Sequence, residues 1–167
     1  ISKDDNEKKE ALLKIPGVKL TNTSARVYPL GEEAAHLIGY VQKINEQELE
    51  QNKEKGYSSS SVIGKNGLEK AYEDRLRAVD GKEIIIVDEK GNKIKQLAKQ
   101  DKKDGEDIKL TIDSKIQKQL YDSLKNDKGF FVVMNPNTGE LLGAVSTPSY
   151  NSNDFVLGMT QDKWNEL

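Results

Sequence analysis

The longest uninterrupted apolar runs in this 167-residue chain are Phe130 to Met134 and Ile84 to Val87. Neither approaches the roughly 20 apolar residues that span a bilayer as a helix. Each has the length of one strand. A fold made of such pieces has many short elements and several small apolar contacts. The composition agrees, with 35% hydrophobic and 32% charged residues. Twenty-six basic and 28 acidic residues give a formal charge of −2. They are interleaved, as in Lys53, Glu54 and Lys55, so no cationic stripe tracks phosphates and nucleic acid is excluded as a partner. The absence of cysteine removes disulfides, thiolate metal sites and thiol nucleophiles. The opening Ile-Ser-Lys-Asp-Asp lacks the basic-then-apolar order of a secretory leader, and the chain reads as a piece of a longer parent.

Local signals predict an α+β fold. Asp4 to Leu13 is a helix stopped by Pro16 and Gly17. Val18 to Tyr28 alternates as a strand, broken by Pro29 and Gly31, and Glu32 to Ile38 is a short helix with Ala34, Ala35 and Ile38 inward. Asn45 with Glu48 forms a capping box that starts a helix over Glu46 to Lys53. Ser58 to Ser61 is a loop tip. Leu68, Ala71, Tyr72, Leu76 and Val79 fall at helical spacing, ended by Gly81. Ile84 to Val87 and Lys93 to Leu97 flank a hairpin turn at Glu89 to Asn92. The charged stretch Gln100 to Asp107 is the expected domain boundary. Beyond it come a strand over Ile108 to Ile112 and a helix capped by Asp113, with Ile116, Leu120 and Leu124 on one face. Phe130 to Met134 reads as a sheet-centre strand. It turns at Asn135 to Gly139 into a partner strand, Leu141 to Val145.

Catalytic chemistry finds little support. His36 is the single histidine, too few for a multi-histidine metal site, and nothing marks a serine and acid to go with it. Aligning Gly105 with the sixth position of a calcium loop puts Gln100 first, Lys102 third and Thr111 last, a poor ligand set. Gly64-Lys65-Asn66-Gly67 lacks the spacing of a phosphate loop. The pairs Glu32/Glu33 and Glu69/Glu73 are ordinary in so charged a chain. No cofactor, metal or catalytic residue is expected.

Three stretches carry a resemblance. The first is Arg26-Val27-Tyr28-Pro29-Leu30-Gly31, continuing through Ala35-His36-Leu37-Ile38-Gly39-Tyr40-Val41. The second is Gly64-Lys65-Asn66-Gly67-Leu68-Glu69 with Tyr72, Glu73 and Leu76. The third is Leu110-Thr111-Ile112-Asp113 with Ile116-Gln117, then Val133 to Leu142 and Val145 to Tyr150. Together they resemble the class B penicillin-binding proteins, the first two their dimerisation (pedestal) domain and the third the start of their transpeptidase domain. The wording is similar to the low-affinity, methicillin-resistance type of Gram-positive bacteria. The resemblance implies structural roles for Arg26, Tyr28, Pro29, Gly31, His36, Gly39, Gly64, Gly67, Glu69 and Tyr72, with Arg26 and Glu69 paired. It implies a rear pedestal over 1–106 and a transpeptidase start over 107–167, ending before the catalytic serine.

The departures matter as much. Serine enzymes of this kind need Ser-x-x-Lys and Lys-Ser/Thr-Gly; neither occurs here, and Ala78 stands near where the family has a glycine. The resemblance therefore implies a non-catalytic scaffold. Its parent would be an extracytoplasmic, membrane-anchored D,D-transpeptidase that cross-links peptidoglycan and binds β-lactams. Its partners would be the rest of the transpeptidase domain and cell-wall synthesis proteins or peptidoglycan. An independent extracellular binding module is the alternative. The Phe130 to Val145 strand pair, with apolar faces and open edges, is expected to drive self-association or to leave the last dozen or so residues mobile.

Overall fold

Side chains that can close a helix end are placed where the helices begin. In the computed structural model, which describes residues 5–20, 25–156 and 164–165, Asp5 caps α1 (Asn6–Leu13) by accepting from Lys8 N–H at 3.2 Å. A 3-10 turn over Gly31–Ala34 runs into α2 (Ala35–Ile38), burying Ala34 and Ala35. β1 (Val41–Lys43) leads to α3 (Glu46–Gln51), whose Asn45/Glu48 capping box is complete in both directions. β2 (Val62–Gly64) pairs antiparallel with β1, Val41 opposite Gly64. α4 (Gly67–Ala71) and α5 (Glu73–Leu76) follow, then the hairpin β3 (Lys82–Val87) and β4 (Lys93–Gln100). α6 (Ser114–Leu124) is capped by Asp113, which accepts from Lys115 and Ile116 N–H. A second hairpin, β5 (Gly129–Met134) and β6 (Leu141–Thr147), and α7 (Ser152–Val156) complete the order.

Among the described residues the result is an α+β arrangement of short helices and three two-stranded antiparallel sheets. Its core is small: Tyr28, Ala34, Ala35, Val41, Leu124, Val145 and Phe155 are buried. α6 lies on β6, and it comes close because position 143 is glycine; a Cβ there would stand 2.7 Å from Leu120 Cδ1. Among the described residues, no helix is long and apolar enough to cross a membrane.

Four expectations are corrected. Val18 to Tyr28 forms no strand in its described part, residues 18–20 and 25–28; Thr21 to Ser24 lie outside the described residues. The reason is visible at Tyr28, whose main-chain groups bond a side-chain amide rather than a neighbouring strand. Ile108 to Ile112 forms no strand and bends at Thr111, held by Thr111 Oγ1 donating to Leu141 O at 2.6 Å and Asp113 N–H donating to Leu142 O at 2.9 Å. The helix predicted through Val79 leaves helical geometry at Tyr72 (φ −114°) and ends at Leu76. Val79 instead exchanges two main-chain bonds with Lys103, at 2.7 and 2.9 Å. β5, read as a sheet-centre strand, has β6 as its one neighbour among the described residues, and Phe130 is 65% exposed.

One side chain holds β6 to the rest. Gln117 of α6 is fully buried. Its amide oxygen accepts from Ala144 N–H at 2.9 Å, while Nε2 donates to Ala144 O and Glu33 O, both at 2.7 Å. It therefore extends the ladder of β6 and ties it to the 3-10 turn. Gln117→Ala strands two main-chain carbonyls and one N–H in a dry site, at roughly 1–3 kcal/mol per buried unpaired group, less what entering water recovers. A loss of about 2–5 kcal/mol in urea unfolding is expected, and a loss under about 0.5 kcal/mol, the surface-substitution range, would contradict this role.

Candidate functional site

Tyr28 joins the first two motif stretches. Its hydroxyl donates to Glu69 Oε1 at 3.1 Å and accepts from Val41 N–H at 2.8 Å, so one phenol bridges the first motif, β1 and α4. Glu69 sits in the first turn of α4, buried. Arg26 approaches it in a forked geometry, Nε at 3.1 Å from Oε1 and Nη2 at 3.5 Å from Oε2. The carboxylate is 7% exposed and the guanidinium side chain 43%, so only the anion is held away from water. Burial, followed by the Glu69 charge, raises the Tyr28 phenol well above its ordinary pKa.

The main chain of Tyr28 is answered from far along the chain. Its N–H donates to Asn153 Oδ1 at 2.8 Å and its carbonyl accepts from Asn153 Nδ2 at 2.9 Å. Asn151 Oδ1 accepts from Asn153 Nδ2 at 2.9 Å and fixes that amide. Beside this node lies a cavity of about 290 Å³, lined by Arg26, Pro29, Leu30, Ile38, Glu69 and Ser152 among others. Ser152 Oγ is buried there without a hydrogen-bond partner. A serine hydroxyl with no base beside it is not an activated nucleophile.

The remaining motif residues fall into neighbouring contacts. Gly39 (φ +81°) ends α2 against the turn before α4, where a Cβ would meet Asn66 O at 2.1 Å; the two motifs touch through this gap. Asn66 accepts from Tyr40 N–H at 3.2 Å and donates to Tyr150 Oη at 2.8 Å, and that hydroxyl donates to Ala35 O at 3.2 Å. Tyr40 stacks on Phe155 with centroids 4.1 Å apart, and Tyr150 meets Phe155 and His36 edge-on. His36 is exposed and donates Nε2–H to Pro148 O at 2.9 Å, so it is paired with no serine. Gly31 stands against Asn151, Gly67 opens α4, and Gly64 N–H donates to Glu73 Oε2 at 2.8 Å. Pro29 lines the cavity, whereas Tyr72 is partly exposed where α4 gives way to α5, with Arg75 above its ring. Among the described residues, no group of three or more His, Asp or Glu is placed to hold a metal ion.

Residues 2–110 match the family described as Penicillin-binding Protein dimerisation domain. The chain belongs to that family. It is 48% identical over 153 residues to penicillin-binding protein 3 of Bacillus subtilis, covering 92% of this chain and 22% of that protein. It is 38% identical to the peptidoglycan D,D-transpeptidase MrdA of Escherichia coli, covering 92% of this chain and 25% of that protein. In three dimensions it is similar to PBP2 in the complex of that protein with MreC from Helicobacter pylori. The TM-score is 0.81 at 32% identity, over 97% of this chain and 30% of that one. PBP2 of Pseudomonas aeruginosa gives a TM-score of 0.68 at 36% identity, over 86% and 28%. The chain thus spans about a quarter of the length of the curated relatives it matches.

Several residues that bind the motifs together had no such role read for them from sequence: Asn153, Tyr57 and Arg77, and also Gln117 and Tyr150, which belong to the third stretch quoted above. Gln117 had a legible signal, a polar residue on the apolar face of α6 with Leu120 and Leu124. Asn153 had none. Tyr57 donates to Glu73 Oε1 at 2.7 Å beneath the Arg77 guanidinium, 3.5 Å from the ring centroid. Burial and then the Glu73 contact push its phenol up to about 12.

Two measurements check this description. A cycle on Arg26→Ala and Glu69→Ala should give a coupling of about 1–2 kcal/mol, short of the 3–5 kcal/mol for breaking a fully buried pair, because Arg26 remains half in water. Strict additivity would mean that the pair contributes nothing. Raised phenol values in the folded state mean that their stabilisation is complete below the ordinary tyrosine value near pH 10 and is lost as pH climbs through the raised ones. Phenolate absorbance should therefore lag in the native protein. Tyr28→Phe should remove a late-titrating phenol, and an unchanged titration end would contradict it.

Proposed function

We propose that this chain is a non-catalytic scaffold of a peptidoglycan D,D-transpeptidase, with a rear pedestal over 1–106 and the opening of the transpeptidase domain over 107–167. The observation that carries this is the direction of the polar ties. Asn153 holds Tyr28, Gln117 holds Glu33, Tyr150 meets Asn66 and Ala35, and Ser149 Oγ donates to Glu32 O at 2.6 Å. Each joins the later part to the segment from Tyr28 to Asn66 that holds the first two motifs. A support fixed to its load at several polar points, His36 to Pro148 and Tyr121 to Glu32 among them, and by one aromatic cluster resists rocking, as a spacer must.

The chemistry would belong to the parent. E. coli MrdA is named a peptidoglycan D,D-transpeptidase, and that activity, with covalent β-lactam binding, is the activity proposed for the full-length protein. The 167 residues contain no Ser-x-x-Lys or Lys-Thr-Gly, and Ser152 has no base. The parent would be anchored in the cell membrane with this region outside it. Its partners would be cell-wall synthesis proteins, of the kind that MreC represents for Helicobacter pylori PBP2, or peptidoglycan. Membership of the low-affinity, methicillin-resistance branch is the narrowest part of the proposal, and acylation of the full-length parent by β-lactams at unusually high concentration would bear it out.

This chain, incubated with a fluorescent penicillin, should show no stoichiometric band in a denaturing gel, while the full-length parent should show one. A denaturation-resistant adduct on the 167 residues would overturn the scaffold assignment.

A further inference from the structure

Every residue of β3 and β4 is exposed, on both faces of the hairpin. Its root is nevertheless fixed. Val79 and Lys103 exchange main-chain bonds, Glu106 N–H donates to Arg75 O at 2.7 Å, and Arg75 Nε meets Glu106 Oε2 at 2.9 Å. The hairpin is therefore a held two-stranded ribbon whose outer edges have no strand partner among the described residues. Lysines on an edge strand discourage pairing with another chain. β4 carries three, Lys93, Lys95 and Lys99, whereas β3 presents Ile84-Ile85-Ile86-Val87 without a charge. The edge left open is that of β3.

We propose that β3 is a self-association surface, pairing antiparallel with β3 of a second copy about a two-fold axis at Ile85. Charge selects this occupant and this register. With the axis at Ile85, Ile84 faces the second copy's Ile86 and Lys82 faces its Asp88. The two-fold makes each of these contacts twice. Lys82 has no ion pair among the described residues, and Glu83, opposite Val87 in this register, is already neutralised by Lys93. Moving the axis to Ile84 sets Asp80 against Asp88. Moving it to Ile86 sets Lys82 against Lys90 and Glu83 against Glu89. Like charges directly opposite one another are destabilising, and opposite charges favour the pair. A lipid surface is a poorer occupant, because it leaves the edge N–H and C=O groups unpaired. β5 also shows an apolar edge, but its flanks, Lys128 and Asn135, supply no complementary pair.

The chain contains no cysteine, so single cysteines report the geometry directly. Opposed residues of an antiparallel pair stand about 4.5–5.5 Å apart at Cα, within disulfide reach. Under mild oxidation, I85C should form a disulfide-linked dimer at least about tenfold faster than L97C on β4 or F130C on β5, because only residue 85 would stand opposite its own copy. Sedimentation equilibrium of the unmodified chain should show a concentration-dependent dimer. I85K should weaken that dimer by about tenfold or more by setting two ammonium groups on the axis. F130K and L97K should leave it unchanged, with circular dichroism showing all variants folded. A monomer from micromolar to millimolar concentration, or cross-linking fastest at position 130 or 97, would overturn the proposal. The first outcome leaves the scaffold assignment intact, since that depends on penicillin labelling and not on dimer formation.

Discussion

A peptide unit taken out of water has to find a hydrogen-bond partner, and two-stranded ladders leave one side of every strand unanswered. In this chain carboxamide side chains fill that gap where the structure is dense. Asn153 offers an acceptor and a donor to the N–H and C=O of Tyr28, as a neighbouring strand would, and Gln117 does the same for Ala144. An amide is the one side-chain group with this pairing at fixed geometry. The first motif, α6, β6 and α7 are thus joined by bonds that resemble a sheet without being one. The small apolar core of Tyr28, Val41, Val145 and Phe155 is assembled around them.

The charged part of the node follows a different balance. A buried ion pair regains its desolvation cost only when geometry is good and the spare lone pairs are satisfied. Glu69 meets both conditions through the Arg26 fork and the Tyr28 hydroxyl. Arg26 keeps part of its guanidinium in water, which reduces both its cost and its contribution. The node therefore acts more as a locator than as a source of stability. It fixes where α4 sits against Tyr28, and Gly39 then lets α2 approach Asn66 closely enough for the aromatic cluster of Tyr40, Tyr150 and Phe155 to form.

Local chemistry was legible in the sequence, and distant pairing was not. The Asn45/Glu48 box, the Asp113 cap and both hairpin turns depend on residues within four or five positions of each other, and they occur as the residue types predict. Val18 to Tyr28 and Ile108 to Ile112 show why alternation is insufficient. Alternation signals extended backbone, but a strand also needs a ladder, and for Tyr28 the partner is a side chain 125 residues away. The meeting of Arg26 and Glu69 followed from motif resemblance rather than from spacing. Asn153 could not be distinguished from any other loop asparagine, because nothing local shows which main-chain groups its amide will face.

The reliance on amides also gives this joint a chemical lifetime. Hydrolysis of a carboxamide to a carboxylate barely changes the shape of the side chain. It keeps the acceptor, removes the donor, and sets a negative charge against a main-chain carbonyl. At Asn153 that carbonyl is Tyr28 O; at Gln117 there are two, Glu33 O and Ala144 O. An attraction becomes a repulsion while every helix and hairpin stays in place. The link between the early motifs and the later elements can therefore be lost one side chain at a time, by ageing rather than by unfolding.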